Sequence, residues 1–156
     1  MTSTAPTNWN SIFKQALLAG MAGAIGFGLY QWVTTALPSH ESILVMWQWV
    51  ASGAIGAVAL SNPSFAWFGV LVHLFVSFAW AGGYAYLAST QAFINQRWSI
   101  SGVFYGLMVY VFMQLLMLGA HLLAIPTPLE ALNSVIAYCV FFGLPVAFVV
   151  AKTARA

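Results

Sequence analysis

A polar line follows one face of an otherwise uncharged, apolar stretch at residues 64–92. It consists of His73, Ser77, Trp80, Tyr84 and Gln91. Their steps of three, four and seven positions keep these side chains on one face of an α-helix. Lipid offers no hydrogen-bond partner to an imidazole, so this face should point into protein or into a wet cavity. His73 is therefore the first candidate for binding a ligand or a proton.

Further polar residues should lie near His73 in the outer half of the bilayer. His73 itself should lie roughly 13 Å below the surface at which its helix begins. Histidine titrates near neutral pH, and a carboxylate such as Glu130 is a suitable partner. We therefore predict a candidate outward-facing polar pocket formed by His73, Ser77, Gln114, His121, Glu130 and Tyr138.

Each of these residues also has a purely structural interpretation. His73 could donate a hydrogen bond to Ser77 or to a neighbouring helix and stay neutral. Glu130 could be the first-turn carboxylate of a helix, which the helix dipole favours. His121 could lie at the level of the lipid headgroups. The sequence leaves both interpretations open.

Other site chemistries find little support. A metal site needs three or four converging ligands, and His73, His121 and Glu130 supply three only if packing brings them together. The two histidines differ in expected depth, which disfavours haem ligation. Aspartate is absent, no serine lies in a nucleophile-elbow pattern, and the single cysteine, Cys139, excludes an internal disulfide. We predict no catalytic residue, no metal and no cofactor.

The composition indicates an integral membrane protein. Of the 156 residues, 62% are hydrophobic and 4% are charged, whereas soluble domains carry about 25% charged residues. The mean hydropathy is +0.91. A net charge of +2 is far too small for a nucleic-acid-binding surface. The first apolar run, from Ala16 to Leu37, is too long for a cleaved signal peptide and is interpreted as a retained span.

We predict one all-α membrane domain over residues 1–156, with spans at about 11–37, 64–93, 99–125 and 129–151. Pro145 should free a carbonyl inside the last span and kink it. Residues 43–61 are ambiguous, because they could cross the membrane, re-enter it or lie at its interface. Gln48 between two tryptophans is typical of the headgroup level. We expect four crossing helices and a short re-entrant or interfacial helix at 43–61, with five crossing helices as the alternative.

Basic residues near the span ends indicate the orientation. Four spans would place Lys14, Arg97, Lys152 and Arg155 on one side, the cytoplasm. Five spans would leave Lys14 on the other side. Both arrangements place the C-terminus in the cytoplasm.

Small residues predict close helix contacts. Gly20 and Gly23 in the first span, and Gly102 and Gly106 in the third, have the spacing that lets helices approach in lipid. The two pairs also belong to a faint internal repeat, in which 70–87 matches 135–150 and Tyr138 takes the place of His73. This repeat predicts two parallel helix pairs.

Several short stretches resemble the YagU-like inner-membrane proteins of bacteria. They are Gln31-Trp32 with Leu37-Pro38, the stretch Gln48–Gly53, Gly69–His73 with Ser77, Ser101-Gly102 with Tyr105-Gly106, and Gly143-Leu144-Pro145. The resemblance implies a multi-pass protein of the cytoplasmic membrane and a non-crossing segment before the central helix. Many of those relatives carry a second histidine where this chain has Tyr138. The family has no settled activity, so the resemblance implies no mechanism.

Two functional classes follow from these residues. We predict a non-enzymatic accessory or structural bundle whose glycine faces dock a membrane partner or a second copy. The alternative is binding or permeation of a small solute or proton through the outward-facing pocket. Ion-driven transporters usually carry charged residues inside the membrane, and none is expected at mid-depth here. The expected partners are lipid and a homo-oligomer or larger membrane complex, with no nucleic acid.

Overall fold

A computed structural model describes residues 8–119 and 126–154 of the chain. Within these ranges the chain is helical and contains no strand, which confirms the predicted all-α bundle. The candidate pocket residue His121, the end of the third predicted span and Arg155 lie outside the described residues.

The described helices, in chain order, fall into two halves. The first half contains α1 (Trp9–Gln31) with a π-helical extension (Trp32–Ala36), α2 (Ile43–Ile55) with a 3₁₀ turn (Gly56–Ser61), and α3 (Phe65–Thr90). The second half contains α4 (Ala92–Gln96), α5 (Trp98–Gly119), α6 (Pro128–Ile136), a π-helical segment (Ala137–Gly143) and α7 (Leu144–Thr153).

Five helical segments are long and apolar enough to cross a membrane. They are Trp9–Ala36, Ile43–Ser61, Phe65–Thr90, Trp98–Leu118 and Pro128–Thr153. The chain therefore has the make-up of a multi-pass membrane protein. Length and composition alone admit one more span than the four that we expect, and the additional segment is 43–61.

Helix α1 lies antiparallel to α3 and to the segment Pro128–Thr153. This segment comprises α6, the π-helical segment and α7, and we call it the α6–α7 arm. Along α3, the ring of Trp9 stacks on Tyr86, and Gly20 contacts Phe78 nearer the middle of both helices. Along the arm, Gly23 contacts Phe142, and the hydroxyl of Tyr30 donates to Oδ1 of Asn133 at 2.7 Å. Residues near the N-terminus of α1 thus contact residues near the C-termini of α3 and of the α6–α7 arm. The start of α1 and the end of α7 consequently share one end of the bundle.

Helix α5 also runs antiparallel to the α6–α7 arm. Trp98, its first residue, packs on Phe148 with 5.3 Å between ring centroids. Further along, Gly106 lies against the backbone of Tyr138. The four main helices therefore alternate in direction, as predicted for four spans joined by turns.

The predicted packing glycines lie at contacts between helices of the same chain. A Cβ atom on Gly20 would overlap Phe78 of α3, and one on Gly23 would overlap Phe142. Gly102 and Gly106 lie against the π-helical segment in the same way. Their role in close packing agrees with our prediction. Helices of the same chain contact these glycines, so the docking of a partner through them stays a prediction without support from these contacts.

The predicted internal repeat has a counterpart in these contacts. In the first helix pair, Gly20 contacts Phe78, and the carbonyl of Ala24 bonds to His73. In the second helix pair, Gly102 contacts Gly143, and Gly106 contacts Tyr138. The spacing along each helix is the same in both pairs. The structure therefore supports two parallel helix pairs, with Tyr138 in the position of His73.

The segment at 43–61 folds back on itself. Helix α2 ends at Ile55, and Gly56 has φ 75° and ψ −166°, a conformation that is essentially restricted to glycine. Beyond this reversal, Nε2 of Gln48 donates to the carbonyl oxygen of Ala59 at 2.9 Å. In a continuous helix these residues would be about 16 Å apart along the axis. The geometry favours the re-entrant or interfacial helix, which stays a prediction because the segment's length and hydropathy also suit a span.

The last span is irregular at the expected place. Pro145 has no N–H to donate to the carbonyl of Phe141, four residues earlier. The π-helical turns at Ala137–Gly143 lie just before it, and such wide turns are a known cause of helix bending. The predicted disturbance near Pro145 therefore takes the form of widened turns.

Candidate functional site

His73 lies between three helices. Its Nε2 atom is 3.1 Å from the carbonyl oxygen of Ala24 on α1. A carbonyl only accepts, so Nε2 carries the proton in this hydrogen bond. The imidazole also packs against Phe27 of α1 and Trp47 of α2, with ring centroids 5.8 and 5.4 Å away. The expectation that neighbouring helices shelter this ring agrees with its surroundings.

Ser77 is buried one turn after His73, with only 3% of its surface exposed. Among the described residues, the hydrogen bond of His73 goes to α1 and not to Ser77. Of the two local roles that the sequence left open for His73, the structure shows the contact with a neighbouring helix. Ser77 therefore contributes to helix packing near the imidazole without a direct polar contact to it.

Tyr138 and Gln114 lie in the same region as His73 but do not touch it. The ring of Tyr138 packs against Phe27 at 4.7 Å and against Tyr110 at 5.8 Å between centroids. Nε2 of Gln114 donates to the hydroxyl of Tyr110 at 3.4 Å. The three candidate residues are thus joined through the rings of Phe27 and Tyr110. Aromatic rings thus pack against one another in a row, and the polar atoms of His73, Gln114 and Tyr138 do not converge on one point.

Glu130 does not belong to the predicted pocket. Its Oε2 atom accepts from the backbone N–H and from the hydroxyl of Thr127, at 2.8 Å in both cases. In return, the Thr127 hydroxyl oxygen accepts from the backbone N–H of Glu130 at 3.4 Å. This reciprocal capping box satisfies amides at the start of α6. Glu130 is exposed there, so its pocket assignment is wrong and its helix-capping interpretation is correct.

The structure gives no support to the metal-site alternative. Across residues 8–119 and 126–154, no three His, Cys, Asp or Glu side chains lie together. His73 is partly buried between α1, α2 and α3, whereas Glu130 is exposed at the start of α6. The remaining candidate ligand, His121, lies outside the described residues.

Sequence reasoning missed several residues around this region. Phe27 and Trp47 form the walls on either side of His73, and Tyr30 links α1 to Asn133. Gln31 was not missed, because four spans would place it with the outer polar residues, and its Oε1 atom is buried without a hydrogen-bond partner in the described part of the chain. Phe27 and Gln31 are four residues apart, so their shared helix face was readable from sequence. Their neighbours on other helices were not, because those depend on helix register.

Two cavities lie away from these residues. One, of about 180 Å³, is formed where α1 begins and α3 and α7 end, and its polar lining consists of Asn8, Ser11, Gln15, Ser89 and Asn95. The other is a shallow apolar groove of about 430 Å³ along α5. His73, Gln114 and Tyr138 line neither cavity. The site predicted from sequence therefore corresponds to a packed region of the bundle.

Comparisons of this chain with protein-family models, with curated proteins and with solved structures found no match. The resemblance to the YagU-like proteins stays a prediction from the sequence.

Proposed function

We propose that the protein is a non-enzymatic accessory bundle of a membrane, which associates with a second copy of itself through the open face of α5. The polar residues first considered for chemistry support this class. His73 is bonded to α1, Gln114 to a neighbouring turn of α5, and Glu130 to its own helix start. The bond of His73 joins α3 to α1, and the bonds of Gln114 and Glu130 lie within their own helices.

The observation that carries the proposal is the groove on α5. One side of this helix packs against the π-helical segment through Gly102 and Gly106. Another side carries an apolar stripe with helical spacing, formed by Phe104, Leu107, Met108, Val111, Phe112 and Leu115. All six are exposed, and Phe104 is exposed over 68% of its surface.

An exposed apolar stripe along one helix can pack against another helix. Association between helices in lipid depends on van der Waals packing, because lipid chains are themselves apolar. A groove between projecting side chains allows such packing over several turns. Two-fold symmetry would place the same stripe on both sides of the contact, and homodimers of this kind are the commonest oligomers. We therefore name a second copy as the occupant.

The oligomeric state of the purified chain tests this proposal. We expect a dimer in mild detergent by native mass spectrometry, and a clear loss of dimer in Phe104→Ala. Phe75→Ala is the matched control, because Phe75 is 74% exposed on α3, away from the groove. A monomeric wild-type protein, or equal losses in both variants, would contradict the proposal.

The alternative function is proton or small-solute handling in the outer half of the bundle. Buried Gln31 is the observation in its favour, since its Oε1 atom has no hydrogen-bond partner in the described part of the chain. A buried amide oxygen without a partner is costly in a membrane and often marks a wet or functional position. Proton flux through vesicles containing the protein distinguishes this function from the accessory role.

We further propose a location in the bacterial inner membrane with the C-terminus in the cytoplasm. The antiparallel packing places Lys14, Arg97 and Lys152 at one end of the bundle, and basic residues favour the cytoplasmic side. A periplasm-dependent reporter enzyme fused to the C-terminus should be inactive, whereas a fluorescent protein fused there should be bright. The reverse pattern would overturn this orientation.

A further inference from the structure

We propose that the cavity at the start of α1 binds the phosphate group of an anionic phospholipid headgroup. We call it the basic-end cavity. Its polar lining comes from Asn8, Ser11 and Gln15 on α1, with Ser89 of α3 and Asn95 of α4 opposite them. The cavity and His73 lie in different halves of the bundle along its length, and the cavity is independent of the α5 groove.

The charged side chains at this end of the bundle favour an anion. Lys14 is next to Gln15 in sequence, Arg97 follows Asn95 by two residues, and Lys152 precedes the lining residue Ala154 by two. The chain has only two acidic residues, Glu41 and Glu130, and both lie at the other end of the bundle. Three of the four basic side chains thus lie at the same end of the bundle as the cavity, and both acidic side chains lie at the other end.

Helix α1 adds a further positive contribution. Its N-terminus begins at Trp9, and the first turns of this 23-residue helix form one wall of the cavity. The backbone N–H of Ser11 donates to Oδ1 of Asn8 at 3.2 Å. The other first amides lack partners within the helix, and this helix start carries a partial positive charge of roughly half an elementary charge. Phosphate groups bind at such helix starts.

Gln15 is an independent indication of a ligand. It lines the cavity, is only 7% exposed, and makes no hydrogen bond within the described part of the chain. Because Gln15 lines the cavity, its amide is open to a group that binds there. Its two N–H donors are suited to phosphate oxygens. The bound headgroup would supply the partner that the protein itself does not.

The size of the cavity fits a headgroup phosphate. About 180 Å³ accommodates a phosphate and the atoms next to it, and it is smaller than typical pockets for drug-sized ligands, which are roughly 300–1,000 Å³. The cavity lies where α1 begins and α3 and α7 end, which is the level at which lipid headgroups would meet the helices. A phospholipid can thus place its phosphate in the cavity while its acyl chains stay along the apolar helices.

Retention of defined lipids by the full chain tests this inference. Native mass spectrometry would follow the protein in mild detergent with equal amounts of phosphatidylglycerol and phosphatidylcholine. We expect wild type to retain phosphatidylglycerol preferentially, and Gln15→Leu to weaken its retention about tenfold, as expected for a lost hydrogen bond to a charged group. Gln96→Leu is the control, because Gln96 is exposed at the same end and does not line the cavity.

Two further measurements keep the test decisive. Ser11→Ala removes a single hydroxyl from the cavity wall and should also weaken phosphatidylglycerol retention, even if Gln15→Leu does not fold. Excess inorganic phosphate that displaces the lipid would show that a soluble phosphate shares the site, whereas persistence of the lipid would identify the headgroup as the preferred source. Equal retention of the two lipids by wild type, or equal retention of phosphatidylglycerol by Ser11→Ala and Gln96→Leu, would overturn the inference.

Discussion

The carbonyl oxygen of Phe141 lies directly against Gly26 of α1. This contact joins two features that are far apart in the sequence. Pro145, four residues after Phe141, cannot donate the usual helical hydrogen bond to that carbonyl. Gly26 has no side chain, so α1 can approach the widened turns closely enough for its Cα–H to face the oxygen, a weak hydrogen bond that recurs at helix–helix contacts.

Gly26→Ala should therefore destabilise the bundle. Its new Cβ would overlap the backbone of Phe141, which cannot move as freely as a side chain. Overpacking of this kind typically costs about 1–3 kcal/mol. Thermal unfolding of the purified protein in detergent should show a lower midpoint than wild type.

Gly28→Ala is the matched control for this substitution. A Cβ on Gly28 would lie 3.5 Å from Trp47, which is an ordinary van der Waals contact. Alanine is a better helix former than glycine by roughly 1 kcal/mol, so this variant should be as stable as wild type or more stable. Equal loss of stability in both variants would show that the contact between Gly26 and Phe141 does not limit helix packing.

Residues 43–61 should begin and end on the same side of the membrane. Single cysteines replacing Ser39 and Asn62, in a Cys139→Ser background, should both react with a membrane-impermeant thiol reagent added from the same side of sealed vesicles. Both positions are exposed and flank the segment. Labelling from opposite sides would establish 43–61 as a fifth crossing helix and would contradict the fold-back interpretation.

The hydrogen bond between Gln48 and Ala59 should stabilise this fold-back. Gln48→Leu keeps a side chain of similar size but leaves the buried carbonyl of Ala59 without its donor. A buried carbonyl without a partner costs about 1–3 kcal/mol. We expect a lower unfolding midpoint for this variant, and no change for Gln91→Leu, in which the replaced glutamine is exposed. Equal midpoints for the two variants would mean that the hydrogen bond contributes little.

Much of the fold could be predicted because lipid imposes simple rules on sequence. Runs of apolar residues identified the long helices, and closely spaced glycines identified where helices approach. Glu130 was also readable, since Thr127 followed three residues later by glutamate is the signature of a capping box. The capping box holds this carboxylate at the exposed start of α6, which keeps it out of the predicted pocket.

The partners of the polar residues could not be predicted in the same way. The hydrogen bond from His73 to Ala24 depends on how far α1 and α3 are shifted along each other. Helical periodicity predicts which face of a helix carries a residue, but it does not predict this shift. Likewise, the contact between Gln48 and Ala59 depends on the reversal at Gly56. Glycine marks a permissive position but does not state which conformation it adopts. Tertiary packing decides these contacts.

His73 provides the last prediction, which separates the two proposed functions. If its role is to join α3 to α1, His73→Ala should lower the unfolding midpoint through the loss of the hydrogen bond to Ala24 and of contacts with Phe27 and Trp47. Loss of the hydrogen bond and of a packed ring together should cost about 1–3 kcal/mol. Vesicles containing wild-type protein should show no more proton flux than empty vesicles, measured with an internal pH-sensitive dye. His73→Ala vesicles should behave in the same way.

Tyr138→Phe completes this comparison, because it removes a hydroxyl at the equivalent position of the second helix pair and keeps the ring that packs on Phe27. Under the accessory role, it should leave both stability and proton flux unchanged. Proton flux in wild-type vesicles that disappears in His73→Ala would instead establish the alternative function. In that case the imidazole between α1, α2 and α3 would be a proton-binding group, and Trp47 would lie in the position to control access to it.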